Sequence, residues 1–317
     1  MKKISATQLN IIDAIVAEYD IGGLNASILE KDIHVTDALS AITQIQDPNV
    51  NLVFCGGTSL SKAFGVIERM SEDIDLKIDI APLSEMATSA RKTYLSQYKE
   101  KIRTALVQAG FHENLEMAEA SNLNQLFSME WSYYSEYEGT LSLRPHLKIE
   151  VKTCQITCPT EDKAVGYLIN RLIKADDKEL IAHCQAIEET LAEKVISFLR
   201  RLDRVNSLGE DWDGALVRHI YDVYCITSAD PTIVEKSKIC FPDIMQNDAE
   251  TYGSQQEDFG VNPTAILLKT LAEAEKNTSL AKDYEDKLLP LIFGDVKPSF
   301  EDAFANFKVV ASTLLIN

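Results

Sequence analysis

The sequence lacks the motifs of several common phosphate-binding and membrane proteins. It contains neither the G-x-x-x-x-G-K-[ST] motif of P-loop proteins nor the G-x-G-x-x-G motif of Rossmann folds, so we expect neither of those loops. No stretch approaches the roughly 20 apolar residues that a membrane helix needs, and no signal-peptide apolar run follows the basic start of the chain. We therefore expect a cytoplasmic protein that makes no membrane contact.

The cysteines form no recognisable metal or redox motif. None of the six belongs to a C-x-x-C pair, and the closest two, Cys154 and Cys158, have no second Cys or His pair at zinc-site spacing. The five histidines show no ligand spacing either. We expect reduced and mostly buried thiols.

Positive charge is scarce. The 317 residues include 31 Lys and Arg against 49 Asp and Glu, which gives a net charge of -18. This balance argues against non-specific binding to nucleic acid, whose backbone is polyanionic. A local basic groove would still accept an RNA substrate, whereas an acidic exterior would suit a basic partner protein, and both alternatives stay open.

Apolar spacing predicts alternating helices and strands in the first half of the chain. The predicted helices cover residues 7–46 (two helices, the second from near Ser27), 58–64 and 94–108. The predicted strands cover residues 51–55 and 74–80, with two or three antiparallel strands within 123–156.

The second half has a different pattern. Helical periodicity predicts helices through residues 161–230, where Leu191, Val195, Phe198 and Leu202 form the clearest apolar stripe. Residues 231–262 are polar and contain Pro and Gly, which favours a loop, and two or three helices complete the chain. We therefore predict two domains, residues 1–160 and 161–317.

Two glycines after the first predicted strand indicate a phosphate-binding turn. Gly56 and Gly57 lack a Cβ, so the backbone could approach a triphosphate closely. The helix that is predicted to follow would offer free N–H groups and a partial positive charge. Thr58 and Ser59 could add hydroxyl donors.

A D-x-D pattern on the next strand indicates a metal site. Asp73 and Asp75 would project from one face of that strand, about 7 Å apart along it. Carboxylate oxygens suit Mg²⁺, and two such ions could activate an attacking hydroxyl and stabilise leaving pyrophosphate. Glu150 could supply a third carboxylate, or it could be an exposed residue paired with Lys148. The alternative for the whole motif is a tight turn followed by a solvated acidic strand.

Other charged residues have ordinary interpretations when taken alone. Lys194 flanks the apolar stripe, where a lysine usually buries its stem and keeps its ammonium in water. Arg218 and Asp222 are spaced as a surface i, i+4 pair. Lys31 and Asp32 are expected to be surface charges as well.

These segments together resemble the AbiEii/AbiGii family of nucleotidyltransferase toxins, found in type IV toxin–antitoxin and abortive-infection systems. The resemblance covers about two thirds of the chain in the family's order. The matching segments are residues 30–36, 54–62, 71–75, 148–150, 193–194 and 218–222.

The resemblance implies a fold and an activity. The fold would be α/β (α+β), a polymerase-β-like nucleotidyltransferase core with a mixed sheet followed by a mostly helical C-terminal domain. The activity would be transfer of NMP from an NTP, with Mg²⁺ or Mn²⁺, to an acceptor such as a tRNA 3′ end. A cognate antitoxin and a role in antiviral defence are also implied.

The resemblance also assigns roles by position. Asp73, Asp75, Lys194 and Asp222 would be catalytic, and Asp73, Asp75 and Glu150 would bind metal. The nucleotide would be bound by Gly56, Gly57, Thr58, Ser59, Lys62, Ser71 and Arg218. Lys194 would hold the γ-phosphate, and Asp222 would orient Lys194 or Arg218.

Two other functions fit the same residues. The first is a nucleotidyltransferase that modifies protein (an AMPylator), which the acidic net charge favours mildly. The second is a nucleotide-binding regulatory protein that has lost catalysis, which the intact Asp73 and Asp75 oppose.

Overall fold

The computed structural model describes residues 1–18, 24–121, 125–139, 143–175 and 180–316. Contacts divide the chain into two compact units. The first unit comprises Met1–Ile156 and Thr160–Gln185, and the second comprises Thr157–Pro159 and Ala186–Asn317. The contacts thus group 160–185 with the first unit, and the division into domains near residue 160 stays a prediction.

The first unit combines helices with a sheet. Its helices are α1 (Ala6–Glu18), α2 (Ala26–Thr43), α3 (Gly56–Lys62), α4 (Thr88–Gln108) and α5 (Leu168–Ile173). Its strands are β1 (Leu52–Cys55), β2 (Asp73–Asp79), β3 (His112–Glu113), β4 (Glu119–Ser121), β5 (Leu126–Ser132), β6 (Leu147–Cys154), β7 (Glu161–Val165) and β8 (Leu180–Cys184).

The eight strands form one mixed sheet. Among the described residues its order is β3-β5-β6-β2-β1-β8-β7, and β4 pairs with β5. β2 runs parallel to β6, and β1 runs parallel to β8. The other neighbours are antiparallel. The predicted fold class, an α/β core with a mixed sheet, is confirmed.

Strict alternation on β2, β5 and β6 separates the two faces of the sheet. Ile74, Leu76 and Ile78 of β2 are buried, as are the alternate apolar residues of β5 and β6. They share one core cluster with apolar residues of α2 and α4. Because successive side chains point to opposite faces, Asp73 and Asp75 lie on the face away from this core.

The second unit is helical in its described residues. Its helices are α6 (Ile187–Leu208), α7 (Arg218–Ala229), α8 (Ile233–Tyr252), α9 (Glu257–Val261), α10 (Pro263–Ala274), α11 (Ser279–Asp283) and α12 (Phe300–Leu315). The stripe Leu191, Val195, Phe198 and Leu202 on α6 is fully buried. The predicted helical region is therefore confirmed from residue 187 onward.

The prediction of helix throughout 161–230 is wrong for its first part. β7 and β8 pair antiparallel there, and β8 joins the sheet beside β1 through Phe54 and Cys184. Among the described residues between them, α5 is helical. Strand formation depends on neighbours distant in sequence, so tertiary pairing overrides the local helical composition.

The loop predicted at 231–262 is also wrong. α8 runs through this segment with Pro242 inside it. Proline usually interrupts a helix because it lacks an N–H and crowds the preceding turn. Here Ile233, Ser237, Phe241 and Ile244 form a buried stripe at helical spacing, and this burial favours a continuous helix.

All six cysteines have free thiols, and four of them are buried. The described part of the chain contains no helix that combines the length and the apolar character needed to cross a membrane.

Candidate active site

The centre of the site is the charged face shared by β2 and β6. Parallel pairing sets Asp75 beside Glu150 and Asp73 beside Lys148. Neighbouring strands lie about 4.8 Å apart, so these side chains are adjacent. Both aspartates are partly exposed. Two acidic residues of β2 and one of β6 therefore line one open surface.

Gly56 lies against Asp75 in a way that excludes any side chain. Its φ is +74°, in the left-handed region, and a Cβ built there would lie 2.1 Å from the Asp75 carboxylate Oδ2. The turn between β1 and α3 thus brings bare backbone against a predicted metal ligand. The close approach of this turn to a triphosphate, which the sequence predicts, stays a prediction.

Gly57 is equally enclosed, but by different groups. A Cβ there would lie 2.7 Å from Nη2 of Arg69 and 2.9 Å from the hydroxyl oxygen of Ser71. The Thr58 hydroxyl lies 2.9 Å from the Ser71 hydroxyl and donates a hydrogen bond to the carbonyl oxygen of Asp73. Thr58 and Ser71 therefore fasten the start of β2 to α3.

The other predicted phosphate ligands on α3 have internal partners. Lys62 forms a 2.5 Å ion pair with Asp32, and both side chains are less than one-tenth exposed. Asp32 also accepts a hydrogen bond from the backbone N–H of Leu168 (2.7 Å). Ser59 is buried. These contacts give Lys62 and Ser59 a positioning role, and their binding of phosphate stays a prediction.

Lys31 and Asp32 are not surface charges, and that expectation was wrong. Lys31 is fully buried, and Asp32 is 6% exposed. Burial lowers the pKa of Lys31, and the nearby charge of Glu72 opposes that shift. Both residues lie on α2. They can be buried there because hydrogen-bond and ion-pair partners replace the water that their charged groups lose.

The buried partners of Lys31 lie beside the site. Its ammonium donates to the carbonyl oxygens of Arg144 (2.8 Å) and His146 (2.5 Å) and lies 3.4 Å from the Glu72 carboxylate. Glu72 in turn accepts a hydrogen bond from the Arg144 backbone N–H (2.9 Å). Glu72 immediately precedes Asp73, so this network joins the starts of β2 and β6.

Two cations accompany the carboxylates on the open face. The Arg144 guanidinium donates to the Asp73 carboxylate, and Lys148 pairs with Glu150 at 2.7 Å. Burial alone lowers the pKa of Lys148, but its hydrogen bond to Glu150 and the nearby negative charges outweigh burial and raise the pKa. The sequence analysis missed Arg144, which lies in an irregular segment without any periodic signal.

The residues of this face fit a magnesium ion. Among the described residues, no group of three or more His, Cys, Asp or Glu side chains is arranged around one point. Glu150 is engaged by Lys148. However, Mg²⁺ needs only one or two protein carboxylates when substrate phosphates and water complete its shell. Asp73 and Asp75 supply those hard oxygen ligands from one strand face.

Lys194 and Asp222 form a buried pair in the second unit. Their charged atoms are 3.0 Å apart, and the side chain of Asp222 is fully buried. His219 hydrogen-bonds the backbone carbonyl of Lys194 at 3.1 Å, and burial lowers the pKa of His219 well below its usual value. Asp222 is therefore not a surface charge, and Arg218 is half-buried at the start of α7.

The structure thus groups the predicted residues in two sets. Asp73, Asp75, Glu150 and Gly56 meet on one face of the first unit. Lys194 and Asp222 meet in the second unit, together with Arg218 on the same helix as Asp222.

Comparisons with known proteins identify the family. Residues 37–306 match the family described as nucleotidyl transferase AbiEii toxin, type IV toxin–antitoxin system. A search of curated proteins found no match. Among solved structures, the chain is similar to MenT4, a nucleotidyltransferase toxin from Mycobacterium tuberculosis H37Rv, with 17% identity, a TM-score of 0.41, and coverage of 73% of this chain and 77% of that chain. Because the family match spans most of the sequence, the chain belongs to the AbiEii nucleotidyltransferase toxins of type IV toxin–antitoxin systems.

Proposed function

We propose that this toxin transfers a nucleoside monophosphate from an NTP to an acceptor hydroxyl at the charged face of β2 and β6, with Mg²⁺ as cofactor. Mn²⁺ is the alternative ion. The acceptor that we propose is the 3′ end of a tRNA, and a cognate antitoxin opposes the activity in cytoplasmic phage defence. The nucleotidyltransferase class follows from the family, whereas the metal, the acceptor and the residue roles are our proposals.

One observation carries the location of this site. Asp75 is the register neighbour of Glu150, and Gly56 contacts Asp75 so closely that no Cβ fits between them. Two strand carboxylates beside a glycine turn are among the features that metal-assisted phosphoryl transfer uses. A tight turn followed by a solvated acidic strand would not require so close a contact.

The residues of the face have distinct proposed tasks. Asp73 and Asp75 would hold Mg²⁺, which would supply positive charge to stabilise the triphosphate and the departing pyrophosphate. Gly56 and Gly57 would bind phosphate oxygens through their backbone N–H groups at the start of α3. Thr58 and Ser71 hold the start of β2 against α3 and thereby fix the direction of the Asp73 carboxylate. Glu150 is the candidate third ligand, released from Lys148.

In the second unit we propose a phosphate-binding role for Lys194 that Asp222 supports. The Lys194 side chain is 11% exposed, and its ammonium would donate to a phosphate oxygen while the buried Asp222 carboxylate holds it. We assign Arg218 to nucleotide binding on the same basis of family position.

Protein as acceptor is the second candidate. The net charge of -18 opposes a polyanionic acceptor and favours a basic one. The same metal site would serve both acceptors, since either hydroxyl attacks the α-phosphorus and displaces pyrophosphate.

The experiment that tests the proposal incubates the chain with each of four α-³²P-NTPs, Mg²⁺, and either total RNA or total protein. Label in small RNA with one NTP would support tRNA transfer, and label in protein would support the second candidate. If neither fraction is labelled, while EDTA and Asp73→Ala change nothing, the proposal fails.

A further inference from the structure

Arg144 stands out as a cation on the open face whose backbone is held from within the unit. Its side chain is 41% exposed, and its guanidinium reaches the Asp73 carboxylate. A guanidinium carries five N–H donors in a rigid plane that suits phosphate and carboxylate oxygens. The single carboxylate of Asp73 leaves part of this donor set available to a ligand.

Both backbone polar groups of Arg144 are bound by buried charged side chains. Its carbonyl oxygen accepts from Lys31 at 2.8 Å, and its N–H donates to Glu72 at 2.9 Å. The side chains of Lys31 and Glu72 are 0% and 6% exposed.

Such a pair is a poor device for stability alone. Removing two charges from water costs several kcal/mol per ion, and well-packed apolar residues often stabilise a protein as much or more. The pair at Lys31 and Glu72 does something that apolar residues could not do. Lys31 donates to the carbonyl oxygen of Arg144, and Glu72 accepts from its N–H. The pair therefore fixes the backbone on both sides of the Arg144 Cα, from which the guanidinium extends.

Two lysines near the site have other partners. Lys62 is held in a buried pair with Asp32, and Lys148 pairs with Glu150 on its own strand. Arg144 instead spans from the start of β6 to the first carboxylate of β2. It therefore lies where a nucleotide phosphate would meet Asp73.

We propose that Arg144 binds the phosphate groups of the nucleotide substrate and that the buried Lys31–Glu72 pair positions it for that task. The inference rests on the proposed function, because it places the nucleotide on the face of Asp73 and Asp75. Arg144 is the phosphate-contacting residue, and Lys31 and Glu72 are positioning residues that act through its backbone.

The test measures binding rather than turnover. Calorimetric titrations in Mg²⁺ buffer would compare inorganic tripolyphosphate and each of four NTPs for wild type and Arg144→Ala. Because a guanidinium reads phosphate and not base, we expect affinity to fall about 10- to 100-fold for all five probes alike. Arg103→Ala is the matched control, since Arg103 pairs with Glu100 and Glu113 on α4 and β3.

The positioning role has its own readout. Glu72→Gln keeps the side-chain volume and an acceptor for the Arg144 N–H but removes the charge opposite Lys31. We expect it to weaken tripolyphosphate binding several-fold and to add nothing to Arg144→Ala in the double variant, because coupled residues are not additive. A lower melting temperature with unchanged affinity, or fully additive losses, would overturn the positioning role.

The outcomes separate this inference from the proposed function. If Arg144→Ala binds tripolyphosphate as wild type does, or if wild type binds none of the five probes, the inference is overturned. If wild type binds the probes through Arg144 but labels no acceptor, the proposed function fails and the phosphate site stands.

Discussion

The two units bury charge in different ways. In the first, three consecutive residues of α2 bind segments more than 100 positions away, and their partners include backbone atoms: Glu30 binds the N–H of Glu136, Lys31 the carbonyl of Arg144, and Asp32 the N–H of Leu168. In the second unit, two buried ion pairs join side chains of neighbouring helices, Lys194–Asp222 and Arg200–Asp248, and the buried Glu189 binds the backbone N–H of Cys158, 31 positions away.

This difference teaches what each kind of pair does. A charge that binds the backbone of a segment distant in sequence helps to decide where that segment lies, and here one of the three segments carries Arg144 of the site. A charge that binds another side chain joins helices that apolar packing already brings together. Substitutions in the first unit should therefore affect chemistry most, and those in the second should affect stability most.

The largest effect should come from Asp75 on β2. Asp75→Asn removes a metal-binding charge, so we expect transfer to fall by at least about 10³-fold with the fold unchanged. Glu150→Gln should cost less, about tenfold, since Lys148 already engages that carboxylate. Label transfer and circular dichroism check both.

Asp79→Asn is the matched control for this strand. Asp79 lies at the end of β2, and its carboxylate accepts a hydrogen bond from the N–H of Ala81. Activity close to wild type is expected. An equal loss in Asp79→Asn and Asp75→Asn would show that charge on the strand matters generally, and it would contradict a specific metal site.

The next effect concerns the helical unit and tests the contrast directly. Lys194→Met removes the ammonium that lies 3.0 Å from the fully buried Asp222 carboxylate, which we expect to cost about 3–5 kcal/mol of unfolding free energy. Lys194→Met with Asp222→Leu should restore most of that stability. Urea denaturation of the single and double variants gives the comparison.

Activity of the double variant then separates two roles of Lys194. If stability returns and transfer does not, Lys194 has the proposed phosphate-binding role. If both return, the pair is structural only, and the assignment of Lys194 and Asp222 as catalytic residues is refuted.

A smaller effect distinguishes backbone strain from crowding at the site. Gly56 and Gly65 both have positive φ, but a Cβ at Gly65 would meet nothing within 4 Å, whereas one at Gly56 would meet Asp75. Both Gly→Ala variants should lose about 1–2 kcal/mol from the left-handed backbone. Gly56→Ala alone should also lower transfer about tenfold or more.

If Gly56→Ala and Gly65→Ala have equal transfer activities, the close contact between Gly56 and Asp75 does not matter for function. Melting temperatures of both variants show whether the strain is matched, and label transfer then reports the effect of the displaced Asp75 carboxylate.

The smallest effect is a dependence of stability on pH that both units share. Burial lowers the pKa of His34 to about 3, and neither ring nitrogen has a hydrogen-bond partner among the described residues. Burial also lowers the pKa of His219. Each histidine stays neutral in the folded state, while the unfolded state binds a proton below about pH 6.5.

The sign of this effect follows from proton binding. Above pH 6.5 both states are neutral, and stability does not change through these groups. Below it the unfolded state gains protons, so stability should fall by up to about 1.4 kcal/mol per pH unit for each histidine. His34→Phe should show a shallower decline between pH 7 and 5.5 in urea denaturation, and an unchanged slope would contradict a buried neutral His34.

The sequence predicted those parts of the fold that have a local signal. The alternation of Ile74, Leu76 and Ile78 and the run before Gly56 identified β2 and β1, and the stripe from Leu191 to Leu202 identified α6. β7, β8 and α8 were missed. β8 pairs with the distant β1, β7 pairs with β8, and burial across Pro242 continues α8.

The site was predictable to the same extent. The motif formed by Gly56, Asp73 and Asp75 has a spacing from which its geometry can be predicted. The structure does bring Gly56 and Asp75 together. Lys31, Glu72 and Arg144 carry no such signal. The three residues are separated by 41 to 113 positions in the sequence. A lone charged residue in a sequence is ordinarily exposed, so nothing local predicts their contact.

The most direct test of the central claim is Mg²⁺-dependent release of labelled pyrophosphate from γ-³²P-NTP in the presence of total RNA or total protein, with wild type beside Asp73→Asn. The account predicts acceptor-dependent release with one NTP, loss of release in EDTA, and loss of about 10³-fold or more in Asp73→Asn. Release that persists unchanged in Asp73→Asn would place the chemistry elsewhere and contradict the site on β2 and β6.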